Sequence, residues 1–283
     1  MQLFGVDFTS APCPRKPITI AAGRLEREDP GRGQDRRLRL ERFILCPGWG
    51  DFETFLQHPG PWLGGFDFPF GLPREAVHDL GWPEQWPALV RHCADLGKTA
   101  FREALDRHRT GRPAGQRYAH RDTDRPAGSH SPLKLVNPPV GLMFLAGAPR
   151  LLAAGLTLPG LHQPPGTPAS ARIAVEAYPG WLARTISRES YKSDERKRQT
   201  AEREQARRRL VEAMLEGQHP LEMKLAADTE QCGAMIADAK GDRLDAVLAL
   251  LQAAWSLQQG APGYGIPDTC DPLEGWIAGV PAK

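Results

Sequence analysis

The chain has 283 residues, with 36 Lys and Arg against 34 Asp and Glu, a formal net charge of +2, and 41% hydrophobic side chains. It is therefore no polycation, so any nucleic-acid surface must be local, and it holds ample apolar material for one large domain or two small ones. The longest apolar stretch, Val140 to Leu158, contains Pro149, Arg150 and several glycines, which excludes a membrane span and suggests a buried helix.

In chain order, the first third reads as strands: Met1 to Phe8, Lys16 to Leu25 and Leu38 to Leu45. Glu26 to Asp35 has the Pro and Gly content of a hairpin turn. A short helix over Asp51 to Leu56, with Asp51 as N-cap, precedes a fourth strand over Pro61 to Phe68. Pro87 to His108 has helical spacing, and Thr110 to Pro132 is a polar loop of the length that is usually functional. Asn137-Pro138 opens the buried helix. A fifth strand spans Arg172 to Ala177, a charged helix Ser193 to Leu215, and a last helix Asp242 to Leu257, apolar along Leu244, Val247, Leu248, Leu251 and Trp255. Gly97-Lys98-Thr99 imitates the end of a phosphate loop, but the upstream glycine is replaced by His92. The five cysteines form no Cys-x-x-Cys pair, and with no signal peptide in sight they read as reduced thiols of a cytoplasmic protein.

The acidic residues carry the functional signal. Asp7 lies inside the apolar run Leu3 to Phe8, Asp67 inside Gly64 to Pro69, and Glu176 ends Ile173 to Glu176; Asp242 and Asp245 stand three apart at the head of the last helix. Burying a carboxylate costs several kcal/mol (about 2–5 is a working figure) unless it has a partner, and a divalent cation is one partner that holds several together. Each residue also has a plainer reading. Asp7 and Asp67 as strand-end residues would bind backbone amides, Asp242 would be a helix cap, Asp245 would answer the helix dipole, and Glu176 would pair with an arginine.

The runs Gly5 to Pro12, Gly65 to Pro73, Val175 to Gly180, Gly241 to Ala246 and Glu274 to Ile277 resemble an uncharacterised bacterial family of predicted RNase-H-like nucleases. The resemblance spans nearly the whole chain and thins over residues 82–135. It implies an α/β fold with an RNase-H-like core: a five-stranded mixed sheet in the order 3-2-1-4-5 flanked by helices, in one domain over 1–283 with 82–135 inserted as helix and loop. In that sheet strands one and four are parallel neighbours, which brings Asp7 to Asp67, and the last helix delivers Asp245 and Asp242. The Asp-x-x-Asp-Ala start of that helix resembles the closing motif of bacterial Holliday-junction resolvases.

The expected activity is metal-dependent phosphodiester hydrolysis, with Asp7, Asp67, Asp245 and Glu176 catalytic. Asp7, Asp67, Asp242 and Asp245 would bind two Mg²⁺ or Mn²⁺ ions roughly 3.5–4 Å apart. Thr9, Ser10, Arg121 and Lys134 are candidate substrate contacts, the last two in a stretch that also carries Arg107, Arg109, Arg112, Arg117 and Arg125. The expected partner is nucleic acid, DNA or RNA, with no membrane; resolvases of related core act as dimers, so a homodimer is also carried as an expectation. Two alternatives stay open: a non-catalytic RNase-H-like binding or scaffold protein, and an ATP-dependent phosphotransferase of the actin or sugar-kinase kind.

Overall fold

The computed structural model describes residues 1–26, 37–166, 168 and 171–282. In chain order the elements are β1 (Gln2–Asp7), β2 (Ile18–Leu25), β3 (Arg37–Cys46), α1 (Trp49–Leu56), β4 (Trp62–Phe66), α2 (Arg74–Asp79), α3 (Trp86–Thr110), α4 (Asp124–Ala127), α5 (Val140–Ala153), β5 (Arg172–Glu176), α6 (Pro179–Ile186), α7 (Ala201–Glu216), β6 (Lys224–Ala226), α8 (Thr229–Ala237) and α9 (Asp242–Gln259). The expected hairpin turn, apart from Glu26, falls almost wholly outside the described residues.

The sheet is mixed, in the order β5-β4-β1-β2-β3-β6. β1, β4 and β5 are parallel, β2 runs antiparallel to its neighbours β1 and β3, and β6 is parallel to β3. The α/β class and the order of the first five strands match the expectation, but among the described residues the strands number six. β6 has only three residues, too few for an alternating pattern to register; its pairing with β3 makes it a strand. The charged helix is also shorter than expected. Ser193 to Thr200 is irregular apart from a 3₁₀ turn at Arg196–Arg198, and α7 begins at Ala201.

Strand register decides which side chains share a face. Gly5 pairs with Gly65, Val6 with Phe66, and Phe66 with Glu176. Alternation then groups Leu3, Gly5 and Asp7 with Leu63, Gly65 and Asp67, and leaves Val6, Phe66 and Glu176 on the opposite face. The first face packs Leu3, Leu63, Ile173 and Val175 against Leu244, Val247, Leu248 and Leu251 of α9. The second packs Phe4, Val6, Trp62 and Phe66 against Phe52 of α1 and Phe144 and Leu151 of α5.

α9 is buried almost all round from Leu244 to Ala254, including Gln252. The single apolar stripe expected from its spacing is therefore too narrow a description. A helix apolar on every side belongs inside a protein, and α6 and α8 cover its outer surface. Gln252 stays satisfied there: its Nε2 donates to the Ala278 carbonyl at 2.7 Å, and its Oε1 accepts from the Tyr178 N–H at 2.9 Å.

α9 seats on the sheet through two glycines. A Cβ at Gly5 would collide with the Ala246 carbonyl and with the Leu250 backbone, and one at Gly65 would stand 2.5 Å from the Ala249 carbonyl. Those atoms are helix backbone and cannot rotate aside. Gly5→Ala is therefore expected to destabilise by about 2–3 kcal/mol, as overpacking does. Gly50→Ala, in α1 with open space around it, is expected to be neutral or to stabilise by about 0.5–1 kcal/mol. Urea denaturation of the two variants beside wild type checks the pair; equal stability for Gly5→Ala and wild type contradicts the seating.

Candidate active site

Each acidic side chain reaches its position by a local rule. Asp7 ends β1, and Asp67 follows the last residue of β4, its N–H donating to the Val6 carbonyl at 2.9 Å. The two are thus neighbours at the carboxyl edge of parallel strands, on the face that α9 covers. Gly241, at φ +79°, precedes α9; Asp242 is its first residue, and the Asp245 N–H donates to the Gly241 carbonyl at 2.8 Å. Asp242 is therefore not the N-cap. Asp238 does that work, its Oδ2 accepting from the Arg243 N–H at 2.9 Å. α1 and α5 likewise start from other residues than expected: Gly48 precedes α1, with Asp51 Oδ2 reaching back to its N–H at 3.1 Å, and α5 starts at Val140 behind Pro139.

Asp245 is 1% exposed and fully engaged. Its Oδ1 accepts from the Tyr191 hydroxyl at 2.6 Å, and its Oδ2 pairs with the Lys192 ammonium. Tyr191 is held in turn by Arg207, which donates to its carbonyl at 2.7 Å. The absence of a side chain at Gly241 matters here, because a Cβ would stand 2.9 Å from that of Lys192. By contrast, among the described residues no hydrogen bond or ion pair reaches the carboxylate of Asp7 or Asp67.

The electrostatics follow from that crowding. Burial first, then the charge of Asp245, with Asp242 and Asp67 adding to it and Lys192 opposing, holds the Asp7 carboxyl well above its ordinary range. Burial likewise pushes Asp67 up to about 7, with Lys192 opposing and Asp245 and Glu176 adding to the shift. Asp242 is pushed up to about 6 by burial and then by Asp238. Lys192 is held above its usual range by Asp245, Tyr191, Asp7 and Asp67, against the burial that would lower it. Its side chain is partly exposed along its length.

Other expected site residues lie elsewhere. Glu176 is 3% exposed and on the opposite face of the sheet. Both its oxygens accept from Arg121 at 2.7 Å, and Oε2 also accepts from the Phe70 N–H at 2.9 Å. Its assignment as a catalytic residue is corrected accordingly: the pleat turns it away from Asp7 and Asp67, and the residue of β5's continuation that shares their face is Ala177. Arg121, expected to hold substrate, is 2% exposed and shared between Glu176 and Asp124; it cannot reach a phosphate. Asp124 accepts from Arg121 and Ser129 and is likewise a structural group. Trp82 and Trp86, aromatic side chains near the basic stretch, are core residues, the latter donating to the Phe70 carbonyl at 2.7 Å.

Thr9 and Ser10 follow Asp7 after one intervening residue, Phe8, and are half-buried, with Thr9 Oγ1 accepting from the Ala11 N–H at 3.4 Å. Lys134 is half-buried, 3.3 Å from His130. Tyr191 and Lys192 were missed as site residues because they sit in a charged, aperiodic stretch. The one available sign was an aromatic residue isolated among charges. Among the described residues no three His, Cys, Asp or Glu side chains form a ready metal-coordinating group; Asp245 has both oxygens committed within the protein. No protein-family model matches the chain, no curated protein matches it, and no solved structure matches it.

Two predictions follow from this arrangement. Glu176→Gln leaves the buried Arg121 charge undercompensated, so it is expected to cost about 3–5 kcal/mol in urea denaturation; a variant as stable as wild type contradicts the structural role. For Asp67 the folded-state pKa lies above the unfolded value. Between about pH 4 and pH 7 the folded protein therefore holds a proton that the unfolded chain releases, and stability falls as pH rises through that window. In EDTA, Asp67→Asn is expected to gain stability relative to wild type between pH 5 and pH 8 (about the span of that titration). A stability difference that stays constant with pH contradicts the shift.

Proposed function

We propose that this protein is a metal-dependent nuclease of the RNase-H-like class, hydrolysing phosphodiester bonds in DNA or RNA. The observation that carries this reading is the pair Asp7 and Asp67: adjacent on parallel strands, crowded by Asp245, and, among the described residues, without a hydrogen bond or ion pair to either carboxylate. Uncompensated acidic groups held together against their repulsion are a poor choice for stability and a good one for binding a cation.

The donor set fits a hard ion. All candidate ligands are carboxylate oxygens, which suit Mg²⁺ or Mn²⁺ better than zinc. Asp7 and Asp67 would hold the ion, and Asp242 and Asp245 would complete the acidic wall around it. A bound ion would stabilise charge on the phosphoryl oxygens and lower the pKa of a water for attack on phosphorus. The chain's own groups position the rest. Tyr191 and Lys192 orient Asp245, and Lys192 would offer its charge to a non-bridging phosphate oxygen. Thr9 and Ser10 are the hydroxyl donors next to Asp7. No covalent intermediate is required, since charge neutralisation and in-line positioning supply the rate.

One observation favours the scaffold reading instead: Lys192 already gives Asp245 a counter-charge without any metal. Cleavage decides between the two. Wild type is expected to cut at least one member of a panel of single-stranded, duplex and branched DNA and RNA in Mn²⁺. Asp7→Asn, nearly isosteric, is expected to lose roughly 100-fold or more in rate, the scale of removing one preorganised charged group from an active site. Equal rates for the two proteins would remove Asp7 from the chemistry, and no cleavage by wild type would leave the scaffold reading in place.

A further inference from the structure

A second charged cluster lies at the carboxyl edge of β5, beyond the acidic residues. Arg184, in the last turn of α6, reaches back toward the strand. Its Nη2 donates to the Ala127 and Gly128 carbonyls at 2.8 and 3.1 Å, and its Nη1 to the Tyr178 hydroxyl at 3.2 Å. A guanidinium has five N–H donors, so these three bonds fix its position and leave two N–H groups uncommitted. Gly128, whose carbonyl it holds, is two residues before His130, and Arg184, Lys134 and His120 all act electrostatically on His130. Lys134 Nζ is 3.3 Å from His130 Nε2, donating to the neutral ring. His120 Nδ1 is 4.0 Å from Asp124, a carboxylate already bound by Arg121.

Among the described residues neither Lys134 nor Arg184 has a carboxylate partner. Elsewhere on this surface arginines find acids readily, as Arg112 does with Asp79 and Glu75. The cluster is also rigidly built. Ser131 Oγ donates to the Ala119 carbonyl at 2.6 Å and accepts from the Leu133 N–H at 3.1 Å, while the Gly141 N–H donates to the Lys134 carbonyl at 2.8 Å. The buried Arg121–Glu176 pair ties the whole segment to the end of β5. Two cations, Lys134 and Arg184, set beside imidazoles with no carboxylate bonded to either of them, are a place where an anion with several acceptor oxygens gains charge-assisted hydrogen bonds. Burial, and then Lys134, Arg184 and His120, hold the His130 pKa below its ordinary value, which is the repulsion among these groups seen from one member.

We propose that Arg184, Lys134, His130 and His120 form a phosphate-binding subsite, taking a phosphate group of the substrate strand next to the one cleaved at the acidic site. The identity of the strand rests on the nuclease reading; the affinity for phosphate does not. Lys134 thus keeps its expected role in substrate binding, in a different company from Arg121.

The test uses the full chain in EDTA, titrated with inorganic phosphate and followed by NMR of the histidine ring resonances. Saturable shifts are expected at His120 and His130, with His58 and His78, on other elements, unmoved. Lys134→Met removes one ammonium and no backbone contact, so it is expected to weaken binding roughly tenfold, the scale of one charge-assisted contact. Arg184→Ala is expected to weaken it at least as much. Asp7→Asn is expected to bind phosphate as wild type does, which separates this subsite from the acidic one. Shifts that are absent or non-saturating, or unchanged in Lys134→Met, would overturn the proposal. Phosphate binding in a protein that cleaves nothing would sustain the subsite while removing the nuclease reading.

Discussion

The seating of α9 on Gly5 and Gly65 is the contact on which the rest depends. Helix backbone lies against strand backbone there, closer than any side chain would permit. This closeness brings the head of the helix over the ends of β1 and β4, and with it Asp245 and Asp242 over Asp7 and Asp67. It also puts α9 in the middle of the molecule, sheathed by the sheet on one side and by α6 and α8 on the other. The apolar run of the helix and the acids at its head are thus parts of one arrangement. The burial of Leu244, Val247, Leu248 and Leu251 holds carboxylates where their mutual repulsion would otherwise drive them apart.

Charge at that edge is unequal. Asp7, Asp67, Asp242 and Asp245 are opposed by the Lys192 ammonium, which is committed to Asp245, and by Lys16, which acts on Asp242. The protein resolves the rest by burial and protonation, raising the carboxyl pKa values of Asp7, Asp67 and Asp242. A second group of buried acids, Glu176 and Asp124, has Arg121 between its members and is fully hydrogen-bonded. The two clusters lie on opposite faces of one sheet edge and illustrate two outcomes for an acid drawn into the protein, fully for Glu176, Asp124 and Asp245 and partly for Asp7, Asp67 and Asp242. One is satisfied and ties the insertion to β5; the other is left short of cations, and that shortage is the basis of the functional reading.

Much of this was legible from residue order alone. The apolar flanks of Asp7 and Asp67 marked strands, whose side chains alternate between two faces, while the order of the sheet was what the family resemblance implied. The same alternation, applied to β5, would have set Glu176 aside: once Phe66 pairs with Glu176, parity puts that carboxylate on the face away from Asp67. Register depends on long-range pairing and cannot be read from a five-residue strand by itself. Arg121 was misplaced for a similar reason, since basic loop residues are usually solvated and nothing local marks the one drawn inward by two acids. β6 and the short helices α2, α4, α6 and α8 leave too little periodicity to detect. Tyr191 and Lys192 depend entirely on tertiary contact, arriving at Asp245 from more than fifty residues away in sequence.

The central claim is that the acids at this edge are a cation site, and anomalous diffraction from crystals grown with Mn²⁺ tests it without requiring the substrate. The account predicts an anomalous peak against the carboxylates of Asp7 and Asp67, with the Lys192 ammonium withdrawn from Asp245 as the acid turns to the ion. A site without such a peak at saturating Mn²⁺, with Lys192 still paired to Asp245, would contradict it.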